Sequence, residues 1–133
     1  HRRRGLEADL SHRLGRFVLR ESGFWGQVTD MATHEPVLGR VKRSYRAGLD
    51  YEHPSGWSTG VQGRYENWNE DPIIGPDERH MLWDARGGYA FDVGKSEAEV
   101  FLIGRNIFDT DYAMNEFTEM PGASVELGFK LTF

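Results

Sequence analysis

Hydrophobic side chains recur at every second position along most of the chain, which is the period of a β-strand with two unlike faces. The clearest stretch is 80–93, where apolar and aromatic residues at odd positions alternate with mainly polar residues at even positions. The same alternation runs through 40–52, where Arg43 interrupts it, through 57–68, and through the last residues of the chain up to Phe133. The pattern therefore predicts an all-β protein.

Strand length and connection length set the architecture. Residues 4–13 also alternate, and two further stretches, 16–27 and 97–107, have strand composition with apolar residues on both faces. Most of these strands have ten or more residues, whereas about five or six are usual in soluble proteins and a tilted membrane-spanning strand needs about 9–11. The sequence thus predicts seven strands: 4–13, 16–27, 40–52, 57–68, 80–93, 97–107 and 122–133.

The connections alternate between short and long. Short turns are predicted at 14–15, at 53–56 and around 94–95, and long polar connections at 28–39, 69–79 and 108–121. Short turns at one end, long loops at the other and period-two alternation are typical of an antiparallel up-and-down transmembrane β-barrel. Single-chain bacterial barrels have an even number of strands, so seven strands indicate either a partial arc of a larger barrel or one strand that the pattern does not show.

Composition agrees with this interpretation and excludes several classes of protein. The 133 residues carry 16 Lys and Arg against 21 Asp and Glu, so no basic excess is available for nucleic acid. The absence of cysteine removes disulfides, thiolate metal sites and cysteine nucleophiles. The chain combines 17 aromatic residues and 16 glycines with a mean hydropathy of −0.61. Membrane strands explain this combination, because aromatic residues face lipid in a single layer while the other face stays polar.

Candidate catalytic and metal-binding residues do not form a known motif. The five histidines are not spaced as metal ligands, and His80 with Glu78 and Asp84 has no accompanying nucleophile motif. The acidic runs 69–71 and 109–111 lack the ligand spacing of an EF-hand loop. We therefore expect no enzyme activity, no metal site and no cofactor.

The C-terminal third resembles a known family. Residues 101–112 contain Asn-Ile-Phe-Asp-Thr-Asp-Tyr at the end of a strand, and the final strand ends at Phe133. This resembles the end of TonB-dependent outer-membrane receptors, which carry an Asn-Leu-Phe-Asp-x-x-Tyr box before the last loop and strand. The box corresponds to Asn106, Asp109 and Tyr112. Residues 4–10 are similar to a Gly-x-Glu strand of the same family. The departures are Ile107 in place of Leu and the lack of an Arg after Gly122.

The resemblance implies a location, a function and partners. Residues 1–133 would be the C-terminal part of a barrel of about twenty-two strands, without its plug domain and earlier strands, in the bacterial outer membrane. The implied function is energy-coupled uptake of a scarce ligand, most often a ferric siderophore. The implied partners are outer-membrane lipid and lipopolysaccharide, the rest of the barrel and plug, TonB through the missing N-terminal part, and the barrel assembly machinery. The chain starts with His1, which agrees with a processed chain or a fragment.

Specific roles follow for several residues. Phe133 resembles the signal read by the assembly machinery, and Asn106, Asp109 and Tyr112 are expected to shape a strand end, since Asn and Asp favour such turns. Arg2–Arg4 would lie at the long-loop end, where they could meet lipopolysaccharide phosphates. The polar residues expected to face the lumen, and to form ion-pair ladders there, are Glu7, Asp9, Arg46, Gln62, Arg64, Glu66, Asp84 and Arg86.

Two other hypotheses stay open at this point. One is a complete small eight-stranded outer-membrane barrel with a structural or adhesive role. The other is a soluble antiparallel barrel or sandwich, such as a lipocalin-like binder, in which the apolar face points inward.

Overall fold

The computed structural model describes residues 1–37, 40–68, 79–115, 118–119 and 121–133, with the backbone alone described at 113–115 and 118–119. The seven predicted long strands are confirmed, and every observed end lies within two residues of the predicted one. A short hairpin inside the predicted loop 108–121 was not foreseen. The strands are β1 (Arg2–Leu14), β2 (Phe17–Thr29), β3 (Val41–Glu52), β4 (Trp57–Trp68), β5 (Arg79–Val93), β6 (Ser96–Arg105), β7 (Ala113–Asn115), β8 (Thr118–Glu119) and β9 (Ser124–Thr132).

The seven long strands form one antiparallel up-and-down sheet in the order β1-β2-β3-β4-β5-β6-β9, and β7 pairs with β8 separately. The sheet is not closed, because β1 and β9 pair with one neighbour each. Tight turns join the strands at one end, which we call the turn end. Gly15 and Gly94 have φ values of 61° and 65° in two of these turns, a conformation that costs other residues free energy. The opposite end, the loop end, carries the long connections; most of 69–79 lies outside the described residues.

The register gives the sheet two unlike faces. One face carries most of the large apolar side chains of the long strands, and the other carries most of the charged ones. A cavity of about 590 Å³ lies on the polar face and is lined by residues from β1 to β6. The sheet therefore curls towards its polar side, and we call the two sides the concave face and the convex face. Arg43 does lie on the convex face, paired with Trp25, next to an irregularity in β3.

The strands are strongly staggered. The register row that begins at Leu14 and Phe17, beside the first turn, passes through Tyr51 and Thr59 to Gly87, six residues before β5 ends at Val93. Six residues correspond to about 20 Å along a strand, and the four strand spacings crossed correspond to about 19 Å. If the turns lie at one level, the strands tilt by about 45°, the value expected of a membrane-spanning strand.

Very little of the chain is buried. The protein exposes 9701 Å², whereas a compact monomer of 15.2 kDa exposes about 7100 Å². Among the described residues the buried hydrophobic side chains are Val18, Leu82 and Ala98 alone. The described residues thus form one long sheet without a second layer, which does not fit a sandwich.

In the ranges described, no helix has the length and apolar character needed to cross a membrane.

Candidate functional site

All eight residues predicted to face the lumen lie on the concave face. Glu7 and Asp9 come from β1, Arg46 from β3, and the others from β4 and β5. The cavity on this face places arginines from four strands among aspartates from three strands. The arginines and aspartates that line the cavity are Asp9, Arg20, Arg46, Asp50, Asp84, Arg86 and Arg105.

Four of the six arginine–carboxylate pairs on the concave face join strands, mostly through residues outside the predicted set, whereas Arg3–Glu7 and Arg64–Glu66 each lie within one strand. Arg86 lies 3.5 Å from Glu99, Arg20 contacts Asp50, and Arg105 lies 3.4 Å from Glu126. The remaining arginine–carboxylate pairs are Arg3–Glu7, Arg13–Glu52 and Arg64–Glu66. The sequence pattern missed Arg20 and Glu99 because their strands have apolar residues on both faces, which hides the alternation.

The family box forms a compact hydrogen-bonded cluster at the end of β6. Asn106 is 5% exposed with φ of 47°, and its backbone N–H donates to Asp84 Oδ1 over 2.9 Å. Its side-chain Nδ2 donates to the Thr110 carbonyl, and its Oδ1 accepts from the Thr110 N–H, both over 2.9 Å. One buried asparagine therefore closes the turn after β6 and ties it to β5.

Asp109 ties the same turn to β9. Its Oδ1 accepts a hydrogen bond from the Ala123 N–H over 2.7 Å, just before β9 begins. Its φ is 53° and its N–H donates to the Asn106 carbonyl over 2.8 Å. Asn and Asp tolerate this left-handed conformation better than other residues with a side chain. We call Asp84, Asn106, Asp109, Thr110 and Ala123 the strand-end cluster.

Tyr112 also lies at the loop end of the sheet, where it contacts His80 of β5. Its ring lies 4.9 Å from the His80 ring at 37°, and His80 Nε2 lies 3.4 Å from Glu66 Oε2. Of the grouping of His80 with Asp84 and Glu78 considered from the sequence, Asp84 binds Asn106 instead, and Glu78 lies outside the described residues. The sequence did contain a signal for the pairing of His80 with Glu66, because even-numbered residues of the neighbouring strands β4 and β5 share a face.

The convex face carries aromatic rings near both ends. Close to the turn end, Phe17 lies 4.8 Å from Tyr51, and Trp57 lies 4.7 Å from Tyr89. We call the following residues the turn-end belt: Phe17, Tyr51, Trp57, Tyr89 and Phe91. We call a second set, nearer the long connections, the loop-end belt: Trp25, Tyr45, Tyr65 and Trp83.

The two belts have a constant separation on three strands. Phe17 and Trp25 on β2 are eight residues apart, as are Trp57 and Tyr65 on β4 and Trp83 and Phe91 on β5. Eight residues correspond to about 27 Å along a strand, and a tilt of about 35–45° projects this to roughly 19–22 Å. That height is close to the apolar band of about 25 Å on outer-membrane barrels, which aromatic girdles flank.

Phe133 is 97% exposed and follows β9 at the turn end. Arg2–Arg4 pair with 27–29 of β2 at the loop end, as predicted. Within the ranges described, no three His, Asp or Glu side chains gather into a group that could hold a metal ion.

No family model matches the chain, and a search of curated proteins found no significant match.

Proposed function

We propose that the chain is part of the wall of a transmembrane β-barrel in the bacterial outer membrane, and that this barrel is an energy-coupled transport receptor of the TonB-dependent type. Its 133 residues would supply the last strands and loops of the barrel. The plug and the segment that contacts TonB would belong to other parts of the protein. The ligand suggested by the resemblance is a ferric siderophore.

The observation that carries the proposal is the direction of curvature relative to polarity. The cavity lies on the polar face, so the apolar face is convex. A barrel that continued this curvature would enclose polar residues and present apolar ones outward, as membrane barrels with an aqueous interior do. A soluble lipocalin-like binder needs the opposite arrangement, with the apolar face inside.

The open edges support a barrel with more strands. On the β9 edge Val125, Leu127 and Phe129 are 75%, 72% and 63% exposed, and on the β1 edge Leu6 is 66% exposed. Unpaired backbone groups cannot be satisfied in lipid, so both edges need partner strands there. A complete small barrel would need an eighth strand between β1 and β9, and the described part of the chain contains no eighth long strand.

The strand-end cluster supports the receptor type in particular. Asn106, Asp109 and Tyr112 are the residues that carry the resemblance, and all three make specific contacts at the junction of β5, β6 and β9. A box that shapes this junction would hold the last extracellular loop in a fixed position above the lumen. The mixed charges of the concave face suit a water-filled passage for a polar ligand.

Cysteine labelling tests the membrane assignment, because the chain has no cysteine of its own. Val61 and Gln62 are neighbours on β4 that face opposite sides. In bilayers we expect Gln62→Cys to react with a membrane-impermeant maleimide and Val61→Cys to be protected. The pair Glu126→Cys and Leu127→Cys on β9 should behave in the same way. Protection of Gln62→Cys with labelling of Val61→Cys would reject the proposal in favour of an apolar interior.

Uptake measurements test the transport assignment separately. In its native host, deletion of the gene that encodes the chain should abolish energy-dependent uptake of at least one ferric siderophore under iron limitation. The 133 residues alone should show no energy-dependent uptake, because they lack a plug. Active uptake by the isolated chain, or unchanged uptake of every siderophore tested in the deletion strain, would contradict this assignment while leaving the membrane assignment intact.

A further inference from the structure

Arginines on the convex face occur only at the loop end. The described long strands place Arg2, Arg4, Arg43 and Arg79 on this face, and their one convex carboxylate, Glu21, lies nearer the turn end. Arg43 is two residues beyond Tyr45 of the loop-end belt, and Arg4 is two residues beyond Leu6, which pairs with Trp25. The arginines therefore lie just outside the ring of aromatic residues that marks a membrane interface.

Three convex arginines, Arg2, Arg4 and Arg43, differ from most of the concave ones in having no carboxylate partner among the described residues. All six arginine–carboxylate pairs found among the described residues lie on the concave face. In the same part of the chain, no carboxylate lies within 4.0 Å of Arg2, Arg4 or Arg43, and all three side chains are exposed. Arg3 points to the opposite face from its neighbours, lying 3.9 Å from Glu7 and 4.9 Å above the Phe24 ring. The run Arg2–Arg4 is thus not one basic cluster.

We propose that Arg2, Arg4 and Arg43, which we call the arginine rim, bind the phosphate groups of a phosphorylated lipid in the outer leaflet. The inference rests on the proposed function, since it needs the convex face to lie in a membrane. Guanidinium groups bind phosphate through two parallel hydrogen bonds, and the aromatic belt holds the sheet at headgroup depth. This role would explain why Arg43 interrupts the apolar alternation of β3.

The spacing of the rim suits a headgroup with more than one phosphate. Arg4 and Arg43 lie two strands and two register rows apart, which corresponds to about 12 Å between their backbones. Long arginine side chains can close on a headgroup across that distance, or on two neighbouring lipids. The convex face of the described strands has no Lys or Arg at the turn end, so the rim binds one leaflet only.

Lipid titration tests the rim. The full chain is reconstituted in nanodiscs of zwitterionic lipid, and binding of bisphosphorylated lipid A is measured against the same lipid after removal of both phosphates. Each basic residue near a charged membrane surface strengthens binding by nearly tenfold. The triple variant Arg2→Gln, Arg4→Gln, Arg43→Gln should therefore bind the phosphorylated lipid about 100-fold more weakly. The matched control Arg13→Gln, Arg16→Gln, Lys95→Gln removes three positive charges at the turn end, away from the rim, and should bind within about threefold of the original chain.

Four results would overturn the inference: equal binding of both lipids, unchanged binding by the rim variant, equal loss in the control, or displacement of the lipid by an equal concentration of inorganic phosphate, which would indicate a site for small anions. Labelling of Val61→Cys in the same nanodiscs separates the two proposals. If Val61→Cys is protected but removing the phosphates from lipid A does not weaken its binding, the rim proposal is wrong and the membrane assignment stands.

Discussion

The concave and convex faces are built on the same seven strands but are stabilised differently. On the concave face, carboxylates pair with arginines, and aromatic rings lie over glycines of the next strand, as Phe101 does over Gly128 and Phe24 over Gly5. On the convex face, large apolar side chains such as Leu102 have half of their surface uncovered by any other part of the chain. One face is thus completed by its own residues, and the other needs an apolar environment.

This difference explains how a chain of low mean hydropathy can carry a continuous apolar surface. Its charged residues are numerous, but the register sorts most of those on the long strands to one side of the sheet. Average composition measures the sum of the two faces, whereas membrane insertion depends on the convex face alone.

The largest expected effect comes from placing a charge on the convex face, compared with a charge at the same level on the concave face. Val61 lies midway between Trp57 and Tyr65 of the two belts. In a bilayer, Val61→Arg should lower the free energy of unfolding by about 2–4 kcal/mol, the cost of a cation near the membrane midplane. Urea unfolding of the variant and the original chain in phospholipid vesicles measures this difference in free energy.

Gln62→Arg is the matched control, because Gln62 pairs with Asp84 on the concave face. It should change the free energy of unfolding by less than about 0.5 kcal/mol, as surface substitutions usually do. A larger cost at Gln62 than at Val61 would mean that the two faces have been assigned the wrong environments.

The next largest effect concerns the strand-end cluster, where hydrogen bonds rather than apolar contacts hold the sheet. Asn106→Ala removes two side-chain hydrogen bonds, worth about 1 kcal/mol each, and forces alanine into a left-handed conformation at about 1 kcal/mol more. We expect a total loss of about 3 kcal/mol in denaturant unfolding.

Asn106→Gly separates these contributions. Glycine accepts φ of 47° without strain, so its loss should be about 2 kcal/mol, close to that of the hydrogen bonds alone. Equal losses in the two variants would show that backbone strain has no part in the effect.

Composition predicted β2 and β6, and sequence periodicity predicted the other five long strands, because each of these alternates over enough residues to show both faces. Periodicity also predicted which charged residues of β1, β3, β4 and β5 share a face. It did not assign the faces of β2 and β6, where Val18 and Phe101 are apolar residues on the concave face. Phe101 lies there because Gly128 on β9 leaves room for its ring. This depends on the register between β6 and β9, which the pattern of one strand does not show.

The strand-end cluster was predictable as a turn but not as a junction. Asn106 and Asp109 favour left-handed turns by their chemistry, and this follows from the sequence. The hydrogen bond from Asn106 to Asp84 spans 22 residues of chain, so it exists only once β5 and β6 have paired. The hairpin of β7 and β8 was missed because strands of two and three residues are too short for alternation to show.

A smaller effect is expected from filling the space under a concave ring. A side chain at Gly128 would collide with the Phe101 ring, and overpacking of this kind costs about 1–3 kcal/mol. Gly128→Ala should therefore lower the unfolding midpoint in micelles, and adding Phe101→Leu should restore part of the loss.

Gly48→Ala is the comparison on the same face. A methyl group there would meet no atom closer than 3.6 Å, the Val61 carbonyl oxygen. It should be neutral, or stabilising by about 0.4–1 kcal/mol through the unfolded state. Equal destabilisation by both alanines would show that glycine is needed in these strands for a reason other than the ring.

The smallest effect lies outside both faces, in the loop after β2. Asp30 Oδ1 accepts hydrogen bonds from the Ala32 N–H over 2.7 Å and from the Thr33 N–H over 3.3 Å. These bonds favour the charged form and hold the pKa of Asp30 below its usual value. Their contribution to loop order is therefore complete above the unfolded pKa of about 3.9 and is lost as the pH falls through the lower folded pKa.

NMR chemical shifts of the Ala32 and Thr33 amides should follow a single titration with its midpoint below about pH 3.9. Amides of the long strands, such as that of Val61, should not follow this titration. Asp30→Ala should remove it from the loop. A midpoint above the unfolded value would contradict the hydrogen-bonding role.

The up-and-down order of the sheet also determines how the chain can fold. Every long strand pairs with the strand that precedes or follows it in the main sheet, and three of the connections are tight turns. Hairpins of this kind close short loops, which are fast and entropically inexpensive to form. Even the connection between β6 and β9 is shortened by the hydrogen bond from Ala123 to Asp109. Assembly can thus proceed one hairpin at a time from local contacts, and in the proposed barrel the slow step would fall at the two outer edges, where β1 and β9 would pair with strands that are distant in the chain.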